Sequence, residues 1–412
     1  MKIGFVHYNW KEPHGVYRVV DGNVQGLRHC FKDVSIKIIG EKLNFVPEGV
    51  ESFEIPLESC NDSYKIADDL ETAVKDCDKV IIENPMVGSR LPATLAFKEF
   101  SENTSLDIYW RHHDFVDDRP DMHNNFLHVF GSFENAYART SNVSHLTLIS
   151  FNKRRLEKKG IKATVIPNPI ISSDFYYDEE RARDLSSLFE KKGILKQDEK
   201  PIVYPSRVLR RKNMEEALLL TKMLNSPDVN HKLIITLAHD KDDYREELEK
   251  IIEDYGVPCS LGEAEEYIGF NRENGFVISD LYSMCRLNKG FALTTSVIEG
   301  FCYGLIEPWL VGVPVIGRDI PEVSEDFTES GMCLEYMYGN DVFPVNNDSS
   351  ERTENIRNIL DSPLRFEEIK KILDLELNVE RAKSHAASNK EVVMDKYDYI
   401  KIAKELYRLL NG

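Results

Sequence analysis

Paired cysteines, long apolar runs and an excess of basic residues are all missing from this sequence of 412 residues. Its seven cysteines are odd in number, scattered, and free of any Cys-x-x-Cys pair. That pattern argues against a disulfide framework and a zinc site, and it favours a reducing compartment. No stretch approaches the roughly 18 apolar residues of a membrane-spanning helix, and the first residues lack a signal peptide's apolar core. We therefore expect a cytoplasmic protein without a transmembrane segment.

Acidic residues outnumber basic ones by 70 to 52, which gives a formal net charge of −18. Nucleic acid is a disfavoured partner, because phosphate backbones require a basic surface. Broad docking on anionic lipid is weakened too, although a local basic patch stays compatible with the total. Bulk charge describes solubility rather than any one pocket, so an Arg/Lys pair that holds a diphosphate is also compatible. The composition carries no signal for an oligomeric state.

Short β-rich runs alternate with helix-like stretches along the chain, and the tail from Phe366 onward is helix-like throughout. The runs are Lys2–Tyr8, Lys79–Ile82, Asp107–Trp110, His145–Ile149, Thr164–Ile166, Ile202–Tyr204, Lys232–Leu237, Phe291–Thr294 and Pro314–Ile316. Such alternation predicts parallel sheets covered on both faces, and the length suits two domains of about 150–200 residues. The predicted fold is α/β, with two Rossmann-like, doubly wound domains that face a central cleft.

The predicted domain boundaries are 1–170, 171–390 and 391–412. Two prolines, Pro167 and Pro169, stiffen the crossing between the two sets of strands, although a plain surface turn is the alternative for this segment. The last segment is a helix for which packing back on the N-terminal domain is one arrangement. The clearest single helix is Met214–Leu224, for which Asn213 and Glu216 suggest a variant of the capping box.

Two carboxylates, Glu299 and Glu307, stand eight residues apart with two glycines between them. The first follows a strand-like run and the second lies at the start of a helix. A glycine-containing turn at a helix N-terminus presents backbone N–H groups, which favours a phosphate there. Glu307 is suited to accept paired hydrogen bonds from a ribose diol, and Glu299 to lie toward a sugar ring. Two glutamates at such a spacing are also common as solvated side chains.

The surrounding residues resemble a known family. The segment Glu299-Gly-Phe-Cys-Tyr-Gly-Leu-Ile-Glu307, followed by Gly-Val-Pro-Val-Ile316, resembles the Glu-x7-Glu signature of retaining GT-B glycosyltransferases of family GT4. Ser206-Arg207-Val-Leu-Arg-Arg-Lys212-Asn213 resembles the family's Gly-Arg-Leu-x-x-x-Lys-Gly loop, and Val165-Ile-Pro-Asn168 its Val-Ile-Pro-Asn segment, in the same order. The resemblance covers Pro201–Glu325 well and the N-terminal domain thinly.

The resemblance implies a GT-B fold and a nucleotide-sugar donor, with further donor contacts from Gly15, Phe301, Cys302 and Tyr303. An ordinary turn is the alternative for Gly15. Several positions depart from the family pattern. Cys302 and Asn213 stand where the family carries glycine, Ser206 replaces the glycine before the arginine, and Gly304 stands where a proline is common. These departures make the identity of the donor less readable.

Arg207 and Lys212 lie five residues apart in a loop after a strand. A nucleotide sugar leaves as a nucleoside diphosphate, so a guanidinium and an ammonium set around that group stabilise the charge that develops. The enzyme would then need neither a metal nor a cofactor. An exposed turn is the alternative for this basic run, and it is the preferred interpretation for Arg210 and Arg211. Asp240-Lys-Asp242 is interpreted as a solvated turn, although it leaves a metal open.

A third group of residues, Trp110-Arg-His-His-Asp114, resembles the Trp-Arg-x-His segment of trehalose-forming GT4 enzymes. The resemblance implies that His113 borders the transferred sugar. Asp114 is expected either to orient the His113 ring or to contact the acceptor, and Arg119 is a further acceptor-side candidate. The alternative is a pair of histidines at a strand end, one bound by Asp114 and the other exposed.

The resemblance implies a retaining hexosyltransferase with catalytic residues His113, Arg207, Lys212 and Glu299. Its donor would be of the UDP-glucose or GDP-mannose type, and its acceptor a hydroxyl of a small soluble sugar, polyol or sugar acid. A phosphate oxygen of the leaving group would take the acceptor proton. A lipid or polysaccharide acceptor is the second choice. A GT-B nucleotide-sugar epimerase and a catalytically silent binding module are the remaining alternatives.

Overall fold

The computed structural model describes residues 1–10, 15–237, 242–269, 275–345 and 349–412, which form two compact units. The N-terminal unit comprises Met1–Ile171 together with Lys396–Gly412. The C-terminal unit comprises Ser172–Asp395. The predicted boundaries lay after residues 170 and 390.

Parallel strands form one sheet in the N-terminal unit, in the order β3-β2-β1-β4-β5-β6-β7. The strands are β1 (Lys2–Asn9), β2 (Ser35–Glu41), β3 (Glu51–Glu54), β4 (Lys79–Glu83), β5 (Asp107–His112), β6 (Val143–Thr147) and β7 (Ala163–Val165). The helices before residue 171 are α1 (Gly15–Cys30), α2 (Ser63–Val74), α3 (Leu91–Asn103), α4 (Pro120–Phe130) and α5 (Ser150–Lys158).

The C-terminal unit holds a second parallel sheet, in the order β10-β9-β8-β13-β14, and a small pair, β11-β12. The strands are β8 (Glu199–Arg207), β9 (Asn230–Leu237), β10 (Cys259–Leu261), β11 (Ile268–Gly269), β12 (Phe276–Val277), β13 (Phe291–Thr294) and β14 (Val315–Gly317). The helices are α6 (Glu179–Lys192), α7 (Met214–Leu224), α8 (Asp243–Tyr255), α9 (Ile278–Leu287), α10 (Tyr303–Val311), α11 (Pro321–Glu329), α12 (Ser349–Leu360), α13 (Pro363–Leu373) and α14 (Leu375–Lys396).

The strand order reverses once in each main sheet. In the N-terminal unit the reversal lies between β1 and β4, and in the C-terminal unit between β8 and β13. Ligands of doubly wound folds bind outside the carboxyl ends of the strands at such a reversal. The loops that follow β4, β8 and β13 are therefore the parts of each unit where a site is expected.

The last helix, α15 (Tyr399–Asn411), packs against α1 in the N-terminal unit. Its apolar stripe joins a core cluster with the buried stripe of α1; the members from the two helices are Val20, Val24, Leu27, Ile402, Ala403, Leu406 and Leu410. Gly26 lets the two helices approach closely, because a Cβ there would lie 2.5 Å from the Tyr399 carbonyl oxygen and 2.6 Å from the Ala403 Cβ. Across the described part of the chain, no helix combines the length and apolar content that crossing a membrane requires.

Candidate functional site

The loop after β8 brings the predicted basic pair to the carboxyl end of its sheet. Arg207 is the last residue of β8, and its side chain is exposed. Lys212 closes a 3₁₀ turn, Arg210–Lys212, and its side chain is only 15% exposed. One cation therefore faces solvent while the other is held inside the loop.

Lys212 and Arg211 both bind the carboxylate of Glu299, which follows β13. Lys212 Nζ forms an ion pair with Glu299 Oε1, and Arg211 NH1 lies 2.9 Å from Oε2. Burial alone would raise the pKa of Glu299, but the two cations outweigh it and hold the pKa at about 2. The carboxylate is ionised and fixed between the loops. Arg211 was expected to lie in an ordinary exposed turn; it lies in the 3₁₀ turn with its side chain 38% exposed, and it also contacts this carboxylate.

Asn213 takes a left-handed backbone conformation, with φ 52° and ψ 53°. Its side chain makes no capping hydrogen bond to α7; instead Nδ2 donates to Glu216 Oε2 over 2.6 Å. The predicted capping box is thus wrong in its geometry. A left-handed residue favours glycine or asparagine, and this is the position at which the resembling loop carries glycine.

In the turn before α10, Cys302 also has a left-handed backbone conformation, with φ 65°. Phe301 is buried and packs edge-on against Tyr303, with ring centroids 5.4 Å apart. A Cβ at Gly304 would meet no atom within 4 Å, so the first turn of α10 is open there. Glu307 follows one turn later and is 2% exposed.

Two buried ion pairs support the start of α7. Glu216 receives the guanidinium of Arg318, with nitrogen–oxygen distances of 2.7 and 3.0 Å, and Glu215 lies 3.3 Å from Arg352 Nε. An open cavity of about 570 Å³ borders these pairs. Its lining residues are Asn213, Glu216, Phe343, Pro344, Val345, Glu351, Arg352, Asn355 and Ile356.

In the N-terminal unit, His113 follows β5 and binds a carboxylate at the strand reversal. His113 Nε2 lies 2.6 Å from Glu83 Oε2, at the end of β4, and both side chains are buried. Sequence reasoning missed Glu83, although its place directly after the apolar run Val80–Ile82 was a usable signal. Asp114 was expected to orient this ring or to contact the acceptor; the carboxylate that the structure places on Nε2 is that of Glu83.

Asp114 instead joins a small polar group at the edge of the unit. Its backbone N–H donates to Asn84 Oδ1 over 3.0 Å, and its carboxylate lies 3.4 Å from Arg119 NH2. Arg119 and Asp114 are each about one-third exposed. Both acceptor-side candidates are therefore adjacent and open to solvent.

His112 is buried rather than exposed, and it pairs with a second histidine. Its Nε2 lies 3.0 Å from His145 Nδ1, and His145 Nε2 donates to the Ala138 carbonyl oxygen over 2.9 Å. Burial lowers the pKa of His145 to about 4 and that of His112 well below its usual value. The pair is neutral and structural, so the alternative of one exposed histidine is wrong.

The remaining candidates, Gly15 and the Asp240–Asp242 segment, lie next to or partly outside the described residues. Gly15 is the exposed first residue of α1, and residues 11–14 before it lie outside the described part of the chain. Asp240 also lies outside it, whereas Asp242 caps α8 by accepting from the Arg245 backbone N–H over 2.9 Å. No three His, Cys, Asp or Glu side chains cluster as metal ligands among the residues that the structure describes.

We compared the sequence with protein families and with curated proteins. No family model matches the sequence. The chain is 25% identical over 276 residues to the mannosylglucosyl-3-phosphoglycerate synthase of Petrotoga mobilis, a match that covers 60% of this chain and 52% of the relative. The chain thus spans about half the length of the curated relative that it matches.

Solved structures match over the whole chain. HepE of Anabaena, in complex with UDP and glucose, has a TM-score of 0.64 and 16% identity and covers 100% of this chain and 99% of its own. WaaG, a glycosyltransferase involved in lipopolysaccharide biosynthesis, has a TM-score of 0.66 and 15% identity, with 100% coverage of both chains. The chain has the GT-B fold, with two Rossmann-like domains built on parallel sheets.

Proposed function

We propose that this chain is a retaining glycosyltransferase of the GT4 type. It transfers a hexose from a nucleotide sugar to a hydroxyl group of a small soluble acceptor. The observation that carries the proposal is the meeting of the Arg207–Lys212 loop and the Glu299 loop at the strand reversal of the C-terminal unit. The first loop carries the segment that resembles the family's Arg/Lys motif, and the second carries the start of the segment that resembles its Glu-x7-Glu motif.

The cations of this site suit a leaving nucleoside diphosphate. Arg207 is exposed at the end of β8, and Lys212 is held by its ion pair with Glu299, so both cations lie at this end of the sheet. The open first turn of α10 adds backbone N–H groups at a helix N-terminus. Preset charge of this kind stabilises the negative charge that develops on the departing phosphate, at about 3–4 kcal/mol for one such donor.

The carboxylates serve binding rather than nucleophilic attack in this proposal. Glu307 accepts hydrogen bonds from the ribose diol, and Glu299 holds hydroxyls of the transferred sugar. Phe301, Cys302 and Tyr303 line the same turn. A phosphate oxygen of the leaving group takes the acceptor proton, so both groups occupy one face of the anomeric carbon and the configuration is retained.

The relatives support the donor and acceptor classes. HepE was solved with UDP and glucose, which favours a UDP-glucose-type donor, while a GDP-mannose-type donor fits the name of the Petrotoga synthase. That name also describes a glycosylated phosphoglycerate, which favours a sugar acid as acceptor. His113, Asp114 and Arg119 of the N-terminal unit are the proposed acceptor-side residues, with His113 next to the transferred sugar.

A matrix of donors and acceptors tests the proposal. Purified protein is mixed with UDP-glucose or GDP-mannose and with glycerate, glucosylglycerate, their phosphorylated forms, glycerol or glucose, and the release of nucleoside diphosphate is followed. We expect release that depends on one donor and on a sugar acid. Donor consumed without any acceptor, to give a free epimerised sugar, would favour the epimerase. No release and no donor binding would exclude a glycosyltransferase.

A further inference from the structure

A buried hydroxyl cluster lies directly beneath the basic loop. Tyr204, on β8, is 4% exposed, and its hydroxyl donates to the backbone carbonyl oxygen of Lys212 over 2.9 Å. The same phenolic oxygen accepts the backbone N–H of Thr295 over 3.2 Å and lies 3.0 Å from the Ser296 hydroxyl. One side chain of β8 thus joins the loop after its own strand to the segment after β13.

Thr295 makes the second connection between these segments. Its Oγ1 lies 3.0 Å from the Lys212 carbonyl oxygen and 2.8 Å from that of Asn213. The backbone N–H of Val297 donates to the Arg211 carbonyl oxygen over 2.9 Å. Three successive carbonyls of the basic loop are therefore held by Tyr204 and by residues 295–297.

We infer that Tyr204 and Thr295 are positioning residues that fix Lys212 for its work on the leaving diphosphate. This inference rests on the proposed function. Lys212 carries its ammonium on a flexible four-carbon stem, so its backbone must be fixed for the charge to be preset. A donor group displaced by about 1 Å loses much of its effect on a transition state. Neither hydroxyl touches the ligand in this proposal; each acts through Lys212.

The cluster suits this role because its groups satisfy one another. Asn213 holds a left-handed conformation next to Lys212, and such a backbone persists only where its surroundings determine it. Buried hydroxyls without partners would be costly, whereas here each one bonds to the loop or to its neighbour. The loop is thus held from beneath, and the cation at its end projects from a fixed point.

The substitutions that test this inference remove single hydroxyls. We expect Tyr204→Phe and Thr295→Val each to lower kcat about tenfold while the donor KM changes less than about twofold. Thr295→Ser, which keeps the hydroxyl, should retain most of the activity. Tyr336→Phe is the matched control, because Tyr336 is a buried tyrosine of the same unit whose hydroxyl has no hydrogen-bond partner in the described part of the chain. Its kcat should equal that of the wild type.

A double-mutant cycle separates positioning from general support of the fold. In a Lys212→Ala background, Tyr204→Phe should lower kcat no further, because the group that it positions is gone. The same cycle is run on UDP and GDP affinity by calorimetry, which needs no turnover. Effects that multiply in the cycle, or variants with wild-type kcat, would overturn the inference and leave the proposed function standing. A wild-type protein that neither turns over nor binds either diphosphate would overturn both.

Discussion

At the residue scale, two residues of the candidate site in the C-terminal unit adopt backbone angles that residues with a Cβ rarely take. Asn213 and Cys302 both have positive φ, and both stand where the resembling family carries glycine. A left-handed backbone costs a residue with a Cβ roughly 1–2 kcal/mol. Asparagine reduces that cost by local hydrogen bonding, as its bond to Glu216 shows, but cysteine has less means to do so. These two positions thus have a backbone geometry that glycine takes readily, although neither residue is a glycine.

The first prediction concerns Glu307, which is buried on α10. Glu307→Gln keeps the shape and removes the charge that is proposed to accept from a ribose diol. We expect the Kd of the donor to rise by a factor that corresponds to about 1.5–3 kcal/mol, because hydrogen bonds to charged groups have that strength. Calorimetry with the donor is the measurement, and Glu322→Gln on the exposed face of α11 is the control. Unchanged donor affinity would remove the assigned diol contact.

The second prediction concerns the two cations. If the proposed function holds, Arg207→Ala and Lys212→Ala should each lower kcat roughly 10²–10³-fold with folding intact, because each is proposed to face charge that develops on the leaving group. Lys196→Ala, at an exposed position of the same unit, serves as the control and should leave kcat unchanged. The kcat of each variant is measured by steady-state kinetics. A double variant that keeps near-normal turnover would contradict the assignment of both residues.

At the element scale, the candidate site of the C-terminal unit depends on the contacts between the loops that follow β8 and β13. Strands β8 and β13 are neighbours in the sheet, so the loops that follow them meet at one edge. The Glu299 carboxylate then connects those loops electrostatically through Lys212 and Arg211, in addition to the hydroxyl cluster below. The ion pairs are therefore part of the loop geometry and also part of its response to acid.

The third prediction follows from that connection. The pKa of Glu299 is held at about 2 in the folded protein, below its usual value of about 4.3. Because the folded-state pKa is depressed, its stabilisation is present above pH 4.3 and is lost as the pH falls toward 2. The shift corresponds to about 3 kcal/mol. Urea unfolding should therefore show that Glu299→Gln destabilises the protein at pH 7 and progressively less from pH 4 to pH 2.5.

Glu322→Gln again provides the comparison, since this carboxylate lies on an exposed face of α11. A difference between wild type and Glu299→Gln that stays constant from pH 7 to pH 2.5 would show that the carboxylate does not stabilise the folded state by its charge.

At the scale of the whole molecule, the sequence predicted the architecture better than the contacts. Runs such as Lys79–Ile82 and Phe291–Thr294 hold three consecutive apolar residues each, as central parallel strands do, and they were found. Strand β2 was missed because Lys37 interrupts its apolar run; this buried lysine pairs with Asp76 across 2.9 Å. The sites at strand ends were predicted from motifs.

Glu83 had a local signal in its place after the apolar run Val80–Ile82, but which site residue each carboxylate pairs with was not predictable from the sequence. Glu83 lies 30 residues before His113, and Glu299 lies 87 residues after Lys212. Only the parallel pairing of β4 with β5, and of β8 with β13, brings these groups together. Local spacing carries no signal for a contact that depends on strand order.

The fourth prediction concerns metal and stereochemistry together. Arg207, Lys212 and the N-terminus of α10 supply positive charge where a diphosphate is proposed to lie, so turnover should survive EDTA. An α-linked donor should give an α-linked product. Proton NMR of the anomeric coupling in the product, recorded with and without chelator, tests both statements.

A β-linked product would remove the assignment to the retaining family. Full loss of activity in EDTA with recovery in Mg²⁺ would leave the fold standing, but it would replace the two cations as the main stabilisers of the leaving group.

The docking of α15 on α1 has a consequence for how the protein is made. Ribosomes add about 5–20 residues per second, so the synthesis of residues 172–395 takes on the order of tens of seconds. Throughout that interval the apolar stripe of α1 lacks its partner α15, which has not yet been translated. The C-terminal unit, which is one uninterrupted stretch of chain, can finish first. We therefore expect the nascent N-terminal unit to expose apolar surface of the kind that chaperones bind until α15 leaves the ribosome.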